Sequence, residues 1–377
     1  MAAEFNSLSL GRLAETAIED RIIPGLVVGA GQAGRIGLLA AYGHRQLEPA
    51  PLPATADTVY DLASLTKAIV TSLLVVKAVE QGRLALDQPL GDHLPPLADR
   101  PEVTLRRVLA HAGGMPAHRK FYESLFATSG VRPQYRAALV AAASGEPLVY
   151  APGSQSIYSD LGFILLGALV EQSLGARLDE LAQRLLFQPL GLGRLGFVDL
   201  VGGESFLAPA GLDVAPTERC PVRGRLIAAE VHDLNAWAMG GIAGHAGLFG
   251  DMGDLLRLCF ALVGAYHGRG TVGAPPIVNP EVLRELWRPA GIPGSTWRLG
   301  WDGPAATGSL AGELLSRRAV GHLSFTGCSL WLDPEPETCV IVLTNRIHPV
   351  VRDDPRFRAL RPRLNDEALR AIGYQAR

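Results

Sequence analysis

The two ends of this chain mirror each other, and that symmetry constrains the fold more than any other feature. Residues 8–20 carry helical spacing, Pro24-Gly25 opens an apolar run, and after a Gly-rich turn Arg35 to Gly43 reads as a second strand. At the far end the order reverses: Ser329 to Leu332 and Cys339 to Thr344 are strands flanking Asp333-Pro334-Glu335-Pro336, and Arg356 to Ile372 forms a closing amphipathic helix. Short strands joined by tight turns pair antiparallel, so one sheet is expected to unite residues 21–45 with residues 296–346 under the terminal helices. Between the ends lies a long helical middle, with helix stops at Gly82 after Ala63 to Glu80 and at Gly175 after Asp160 to Leu174, and a short helical segment at Leu105–Leu109. The expected fold class is therefore mixed α/β of the α+β kind: an antiparallel β-sheet flanked by N- and C-terminal helices, with an inserted all-helical domain. The sheet domain is expected to be discontinuous, over residues 1–80 and 260–377, with the mainly helical domain over 81–259 and the active site in the cleft between them. The Pro- and Gly-rich stretch 201–225 has little periodicity and reads as loop.

Composition narrows the function classes. With 48% hydrophobic residues, 19% charged residues and a net charge of −2, the chain has no electrostatic bias towards nucleic acid or an anionic membrane, and neither is expected as a partner. Glu4, Arg12, Glu15, Glu19 and Asp20 interrupt any signal-peptide core, and the apolar stretch Ala68 to Val79 is broken by Thr71, Ser72 and Lys77, well short of the roughly 20 residues a membrane helix needs. Cys220, Cys259, Cys328 and Cys339 lack C-x-x-C spacing in a chain too large to need disulfide staples. A cytoplasmic, reducing compartment is the expectation; composition says nothing of oligomeric state.

Of 35 basic side chains, only Lys67, Lys77 and Lys120 are lysines. A chain that writes positive charge as arginine but keeps lysine in Ser64-Leu65-Thr66-Lys67 points to an amine that can give up its proton, which a guanidinium cannot do. Three residues apart at a helix start, Ser64 and Lys67 share a face, as nucleophile and base do in enzymes that form acyl-enzymes on serine. The positive helix N-terminus and burial among Ile69, Val70, Leu73 and Leu74 both disfavour an ammonium, so a neutral Lys67 accepting the serine proton is expected. The Ser64 backbone N–H would point at a developing oxyanion.

Further along, Tyr158-Ser159-Asp160 precedes a helix, and a loop tyrosine there can relay a proton between nucleophile and leaving group. Gly321-His322-Leu323-Ser324-Phe325-Thr326-Gly327 offers an imidazole and backbone N–H groups at a strand edge. Taken singly, each has a plainer explanation: an N-cap serine with a solvated lysine, a packed tyrosine, a helix-capping Asp160, a structural histidine.

Taken in order, they make a pattern. Tyr60 to Lys67 (YDLASLTK), His111 to Pro116 (HAGGMP), Tyr158 to Phe163 (YSDLGF), Gly244 to Phe249 (GHAGLF), Gly300-Trp301-Asp302 and Thr344 to Pro349 (TNRIHP) resemble the serine β-lactamase and penicillin-binding-protein-like superfamily, and its class C branch above all. The resemblance covers almost the whole chain and implies a β-lactamase/transpeptidase-like fold. It implies that Ser64 is acylated, that Lys67 and Tyr158 share proton transfer, and that the backbone N–H groups of Ser64 and Phe325 form the oxyanion hole; it implies no metal and no cofactor.

The chain departs from the family pattern at three points. The Lys-Thr-Gly strand motif is His322-Leu323-Ser324, which puts a histidine at the anion-facing position and a side chain at Ser324 where substrate normally lies, narrowing or redirecting the cleft. Asp160 stands where the family has Asn, a carboxylate that supports a protonated Lys67 and repels anionic substrate. The missing signal segment argues against a cell-wall enzyme. Asp160, His322, Ser324 and His245 are therefore the expected substrate-binding residues, His245 as a cleft-wall residue. A Ser64-His245-Asp233 triad is set aside, because no G-x-S-x-G elbow surrounds Ser64 and Lys67 already supplies a base. The histidines show no metal-ligand spacing. The expected function is a serine hydrolase, first of all an esterase acting on small esters or amides. The alternatives are β-lactamase or D-alanyl-D-alanine carboxypeptidase activity, with a β-lactam or peptide as substrate, and a non-catalytic or single-turnover ligand sensor of the same fold.

Overall fold

The apolar residues at the two ends do form one sheet. The computed structural model describes residues 2–125, 134–202, 213–271 and 274–375, so residues 203–212 of the expected loop lie outside the described residues. Six antiparallel strands run in the order Leu52–Pro53, Arg35–Gln46, Gly25–Gln32, Thr338–Leu343, Ser329–Asp333 and Val320–Leu323. N- and C-terminal halves join at the centre, where Val27 pairs with Leu343 and Ala30 with Val340.

Both central strands are buried on both faces, and their alternation sorts residues between two cores. Leu26, Val28, Ala30, Val340 and Val342 face a cluster with Leu10, Ala14, Leu360 and Leu364 from the terminal helices Ala2–Glu19 and Pro355–Ala371. Val27, Ile341 and Leu343 face the large core of the helical middle. On that side helix Met252–Tyr266 lies close against the sheet. A Cβ at Gly29 would collide with Met252 and approach Leu256 Cδ1 to 3.2 Å, and one at Gly31 would collide with the Arg35 backbone and with Phe260.

The helical middle is less purely helical than its sequence suggests. A three-stranded sheet of Tyr60–Asp61, Leu248–Gly250 and Gly196–Phe197, and a hairpin of Arg219–Cys220 with Arg225–Leu226, are built from strands of two or three residues, too short to leave a period-2 signature. The first of these matters for function, because it ties the strand before Ser64 to the strand after His245. Helix Asp160–Leu174 begins where Ser159 Oγ accepts from Gly162 N–H at 3.2 Å and stops at left-handed Gly175, so Ser159 is the cap and Asp160 is free for other work. Gly167 on this helix touches Gly244: a Cβ at Gly167 would lie 2.9 Å from the Gly244 Cα. The segment Lys67–Ser72 is a wide π-helical turn leading into helix Leu73–Glu80, and all four cysteines are free and buried.

Candidate active site

Ser64 follows a turn under backbone tension. Ala63 has φ of 43°, left-handed for a residue with a side chain, and its N–H is held by Asp61 Oδ1 at 2.8 Å. The other Asp61 oxygen accepts from His232 N–H at 2.7 Å, so one buried carboxylate ties the turn to the 232–233 loop. Thr326 Oγ1 donates to the Asp61 carbonyl at 2.8 Å, which stitches the end of strand Val320–Leu323 to the same turn. Ser64 and Phe325 are thus brought together, and among the described residues neither backbone N–H has an internal acceptor. Two convergent free donors are what an oxyanion hole requires.

Lys67 is fully buried, and its Nζ meets three acceptors: Asp160 Oδ1 at 2.8 Å, the His245 carbonyl at 2.9 Å and Ser64 Oγ at 3.1 Å. Three acceptors match the three N–H donors of an ammonium. Burial on its own pushes the Lys67 pKa down, but the Asp160 carboxylate, aided by Tyr158, outweighs it and holds the pKa above the ordinary value of 10.5. The expected neutral Lys67 is therefore overturned: the helix-terminus and burial effects are real, and a carboxylate at contact distance exceeds both. Burial likewise raises the Asp160 carboxyl, and Lys67 with the His118 hydrogen bond more than reverses that, leaving it below the usual carboxylate range. His118 Nδ1 lies 3.1 Å from Asp160 Oδ2.

Tyr158 completes the group. Lys67 Nζ is 4.9 Å from its ring centroid, and both Lys67 and the Ser64 hydroxyl favour its phenolate, but burial is the larger effect and its pKa is raised. Its ring packs against His111 at 4.6 Å, Trp297 at 5.5 Å and His322 at 6.0 Å between centroids. His111 is buried with its pKa pushed well down, first by burial and then by Lys67, and its Nδ1 accepts the Ser159 N–H at 3.1 Å. It is a neutral wedge behind Tyr158.

Ser64, Tyr158, Asp160, His245 and Phe325 line one cavity of about 470 Å³, together with Ala63, His118, Tyr122, Glu218, His232, Asp233, Leu234 and Ala246. Two larger cavities lie away from this chemistry: one between the 304–317 segment and the C-terminal helix, the other beside the 346–357 segment.

Two expected substrate-binding residues do not reach the cavity. His322 is 1% exposed, its Nδ1–H donates to the Leu323 carbonyl at 2.7 Å, and burial with the nearby ammonium pushes its pKa down to about 3. It is neutral and offers nothing to an anion. Ser324 Oγ donates to Thr326 Oγ1 at 2.8 Å, whose own proton goes to Asp61, while its carbonyl accepts from buried Arg361 at 2.7 Å. Ser324 stiffens the turn that presents Phe325 and does not narrow the cleft. His245 and Asp233 do pair, with Nε2 2.9 Å from Oδ1, yet His245 reaches the nucleophile through its carbonyl on Lys67 and not through its ring. Setting the triad aside agrees with this geometry.

Sequence reasoning missed Asp61, His118, Glu218 and His232. His232 stacks on Phe325 at 5.4 Å and 20°, with its Nε2 3.0 Å from Glu218 Oε1. Among the described residues no group of three or more His, Cys, Asp or Glu is placed to hold a metal ion, and no single helix is long and apolar enough to cross a membrane.

Residues 10–363 match the family model described as Beta-lactamase. A protein of Escherichia coli K12 named "Putative D-alanyl-D-alanine carboxypeptidase" is 30% identical over 334 residues, covering 84% of this chain and 76% of that protein. Among solved structures, EstCE1, titled a hydrolase with promiscuous acyltransferase activity, superposes with a TM-score of 0.74 at 21% identity, covering 97% of this chain and 99% of its own. Simvastatin synthase LovD from Aspergillus terreus gives 0.70 at 21% over 97% and 98%, and the octameric penicillin-binding protein homologue from Pyrococcus abyssi 0.69 at 23% over 89% and 73%. At such identities the structures establish the β-lactamase/transpeptidase fold alone. With the family match running over most of its length, this chain belongs to the Beta-lactamase family and is a serine hydrolase.

Proposed function

We propose that the protein is an esterase or amidase that passes through an acyl-enzyme on Ser64. The observation that carries this reading is the Ser64–Lys67 contact at 3.1 Å on the wall of a partly buried cavity that also holds the Ser64 and Phe325 amides, both without an acceptor among the described residues. Ser64 Oγ accepts from the ammonium, which leaves its own proton free for Tyr158 Oη. As Oγ attacks the acyl carbon, Tyr158 takes that proton and gives its own to the leaving oxygen or nitrogen; the C–O or C–N bond breaks and the Ser64 ester remains. Neither Tyr158 nor Lys67 changes net protonation in this relay, in keeping with pKa values raised in both. Water returns along the same route to release the acid.

Carboxypeptidase activity, suggested by the name of the Escherichia coli relative, fits less well. Among the described residues no lysine or arginine lines the cavity to hold a terminal carboxylate, and His322 is buried and neutral. A fluorophosphonate probe should label the native protein and not Ser64→Ala. A panel of p-nitrophenyl esters, nitrocefin and a D-alanyl-D-alanine peptide should then show turnover of the esters first. Equal labelling of both proteins sinks the acyl-enzyme reading, and preferential turnover of the dipeptide sinks the esterase reading.

A further inference from the structure

Three carboxylates line the cavity, and they are not equivalent. Asp160 is spent, with Oδ1 on Lys67 and Oδ2 on His118. Asp233 and Glu218 each meet one imidazole: Asp233 Oδ1 takes His245 Nε2 at 2.9 Å and the Ala236 N–H at 2.7 Å, and Glu218 Oε1 takes His232 Nε2 at 3.0 Å. Among the described residues nothing donates to Asp233 Oδ2 or Glu218 Oε2, and no lysine or arginine lines the cavity. The Asp233 side chain keeps 24% of its surface exposed. Burial pushes its carboxyl up, but His245 and the Ala236 N–H outweigh that and hold it below the usual carboxylate range. It also stands close to the chemistry, because His245 gives its ring to Asp233 and its carbonyl to Lys67.

A carboxylate oxygen with no partner among the described residues, in a partly buried cavity that Ser64 also lines, suits a cation with N–H donors. We propose that Asp233 is a specificity-determining residue that seats a protonated amine, so that the substrates acylating Ser64 are aminoacyl esters or amides carrying a free ammonium group. This rests on the acyl-enzyme reading above. The ammonium keeps its protons throughout; only the acyl C–O or C–N bond breaks and the Ser64 ester forms. A substrate bearing a carboxylate instead faces the carboxyl groups of Asp233 and Glu218.

The test compares kcat/KM for alanyl p-nitroanilide, in both enantiomers, with its N-acetylated and N-succinylated counterparts. The native protein should prefer the free amine by about tenfold or more, with the succinylated compound last. That preference should fade as pH rises through about 8, where the substrate amine loses its charge. Asp233→Asn retains an Oδ1 acceptor for His245 and Ala236 and should bring the free-amine to N-acetyl ratio close to one. The pH series needs only the native protein, so the inference can be tested even where the variant folds poorly. A native ratio near one, or a ratio untouched by Asp233→Asn, overturns the amine assignment while fluorophosphonate labelling at Ser64 leaves the acyl-enzyme reading standing. Absence of labelling overturns both.

Discussion

The cavity has two unlike sides. On the nucleophile side, Ser64, Lys67, Tyr158 and Asp160 form a closed set in which the ammonium has three acceptors and the carboxylate uses both oxygens. On the loop side, Asp233 and Glu218 are half-paired, held by imidazoles through one oxygen each. The closed side has no side-chain group left to offer a substrate except the proposed attacking oxygen and proton relay, beside the free Ser64 N–H; the open side has unspent acceptors and no chemistry. Reaction and selection are therefore carried by different residues, and each can be damaged separately.

The largest expected effect is on the closed side. Lys67→Met leaves the part-buried Asp160 without its ammonium partner, at an expected cost of about 3–5 kcal/mol measured by urea unfolding, and should abolish acylation. Adding Asp160→Asn should restore most of the stability and none of the activity; recovery of activity in the double variant would show that the ammonium is dispensable. The pair also has a pH signature. A lysine raised in the folded state contributes stability that is intact below 10.5 and lost as pH rises through its folded value; a depressed carboxylate contributes above 3.8 and loses it as pH falls through its folded value. The stability gap between native protein and double variant should thus be flat from about pH 5 to about pH 9 apart from a step of under about 1 kcal/mol where the His118–Asp160 contact titrates, and a larger slope within that window would contradict the ion pair.

A middle-sized effect tests the wall behind Tyr158. His322→Lys places a second buried cation near Lys67 and should cost on the order of 2–4 kcal/mol in unfolding experiments without adding affinity for carboxylate substrates. Improved KM for a carboxylate substrate would put residue 322 on the cavity after all. The smallest effect is at the hinge of the comparison, His118, which is part exposed. Its pKa is raised, first by its hydrogen bond to Asp160 with burial opposing, so its contribution is present below 6.5 and disappears as pH rises through its folded value. Solvent screening keeps it under about 1 kcal/mol, so His118→Asn should lower the melting temperature by a degree or two at pH 5.5 and not at pH 9.

The difference between the sides also explains what was legible in the sequence. Ser64 and Lys67 are one helical turn apart, so local spacing joins them; the mirrored ends gave the sheet for the same reason, because alternation and turn residues are local signals. The protonation of Lys67 was not local. It depends on Asp160, brought in by another helix, and on the His245 carbonyl, and a backbone oxygen carries no residue-type signal at all. His322 and Ser324 were correctly placed at the end of an edge strand, but which way each side chain bonds is set by Leu323, Thr326 and Arg361. Glu218, His232 and Asp233 come from a region without periodicity, and the ties that gather them are long-range hydrogen bonds, among them Asp61 to the His232 N–H and Tyr122 N–H to Asn235.

The contact between Gly167 and Gly244 sets a mechanical tolerance for the whole reaction. Asp160 begins the helix that carries Gly167, and His245 follows Gly244, so two of the three groups gripping the ammonium ride on backbones that touch with no side chain between them. One methyl group at either glycine acts as a shim, prising the carboxylate and the carbonyl apart by an amount comparable to the slack in a hydrogen bond. A substitution there changes no charge and removes no catalytic group, yet it would loosen the clamp on Lys67 from the rear of the site.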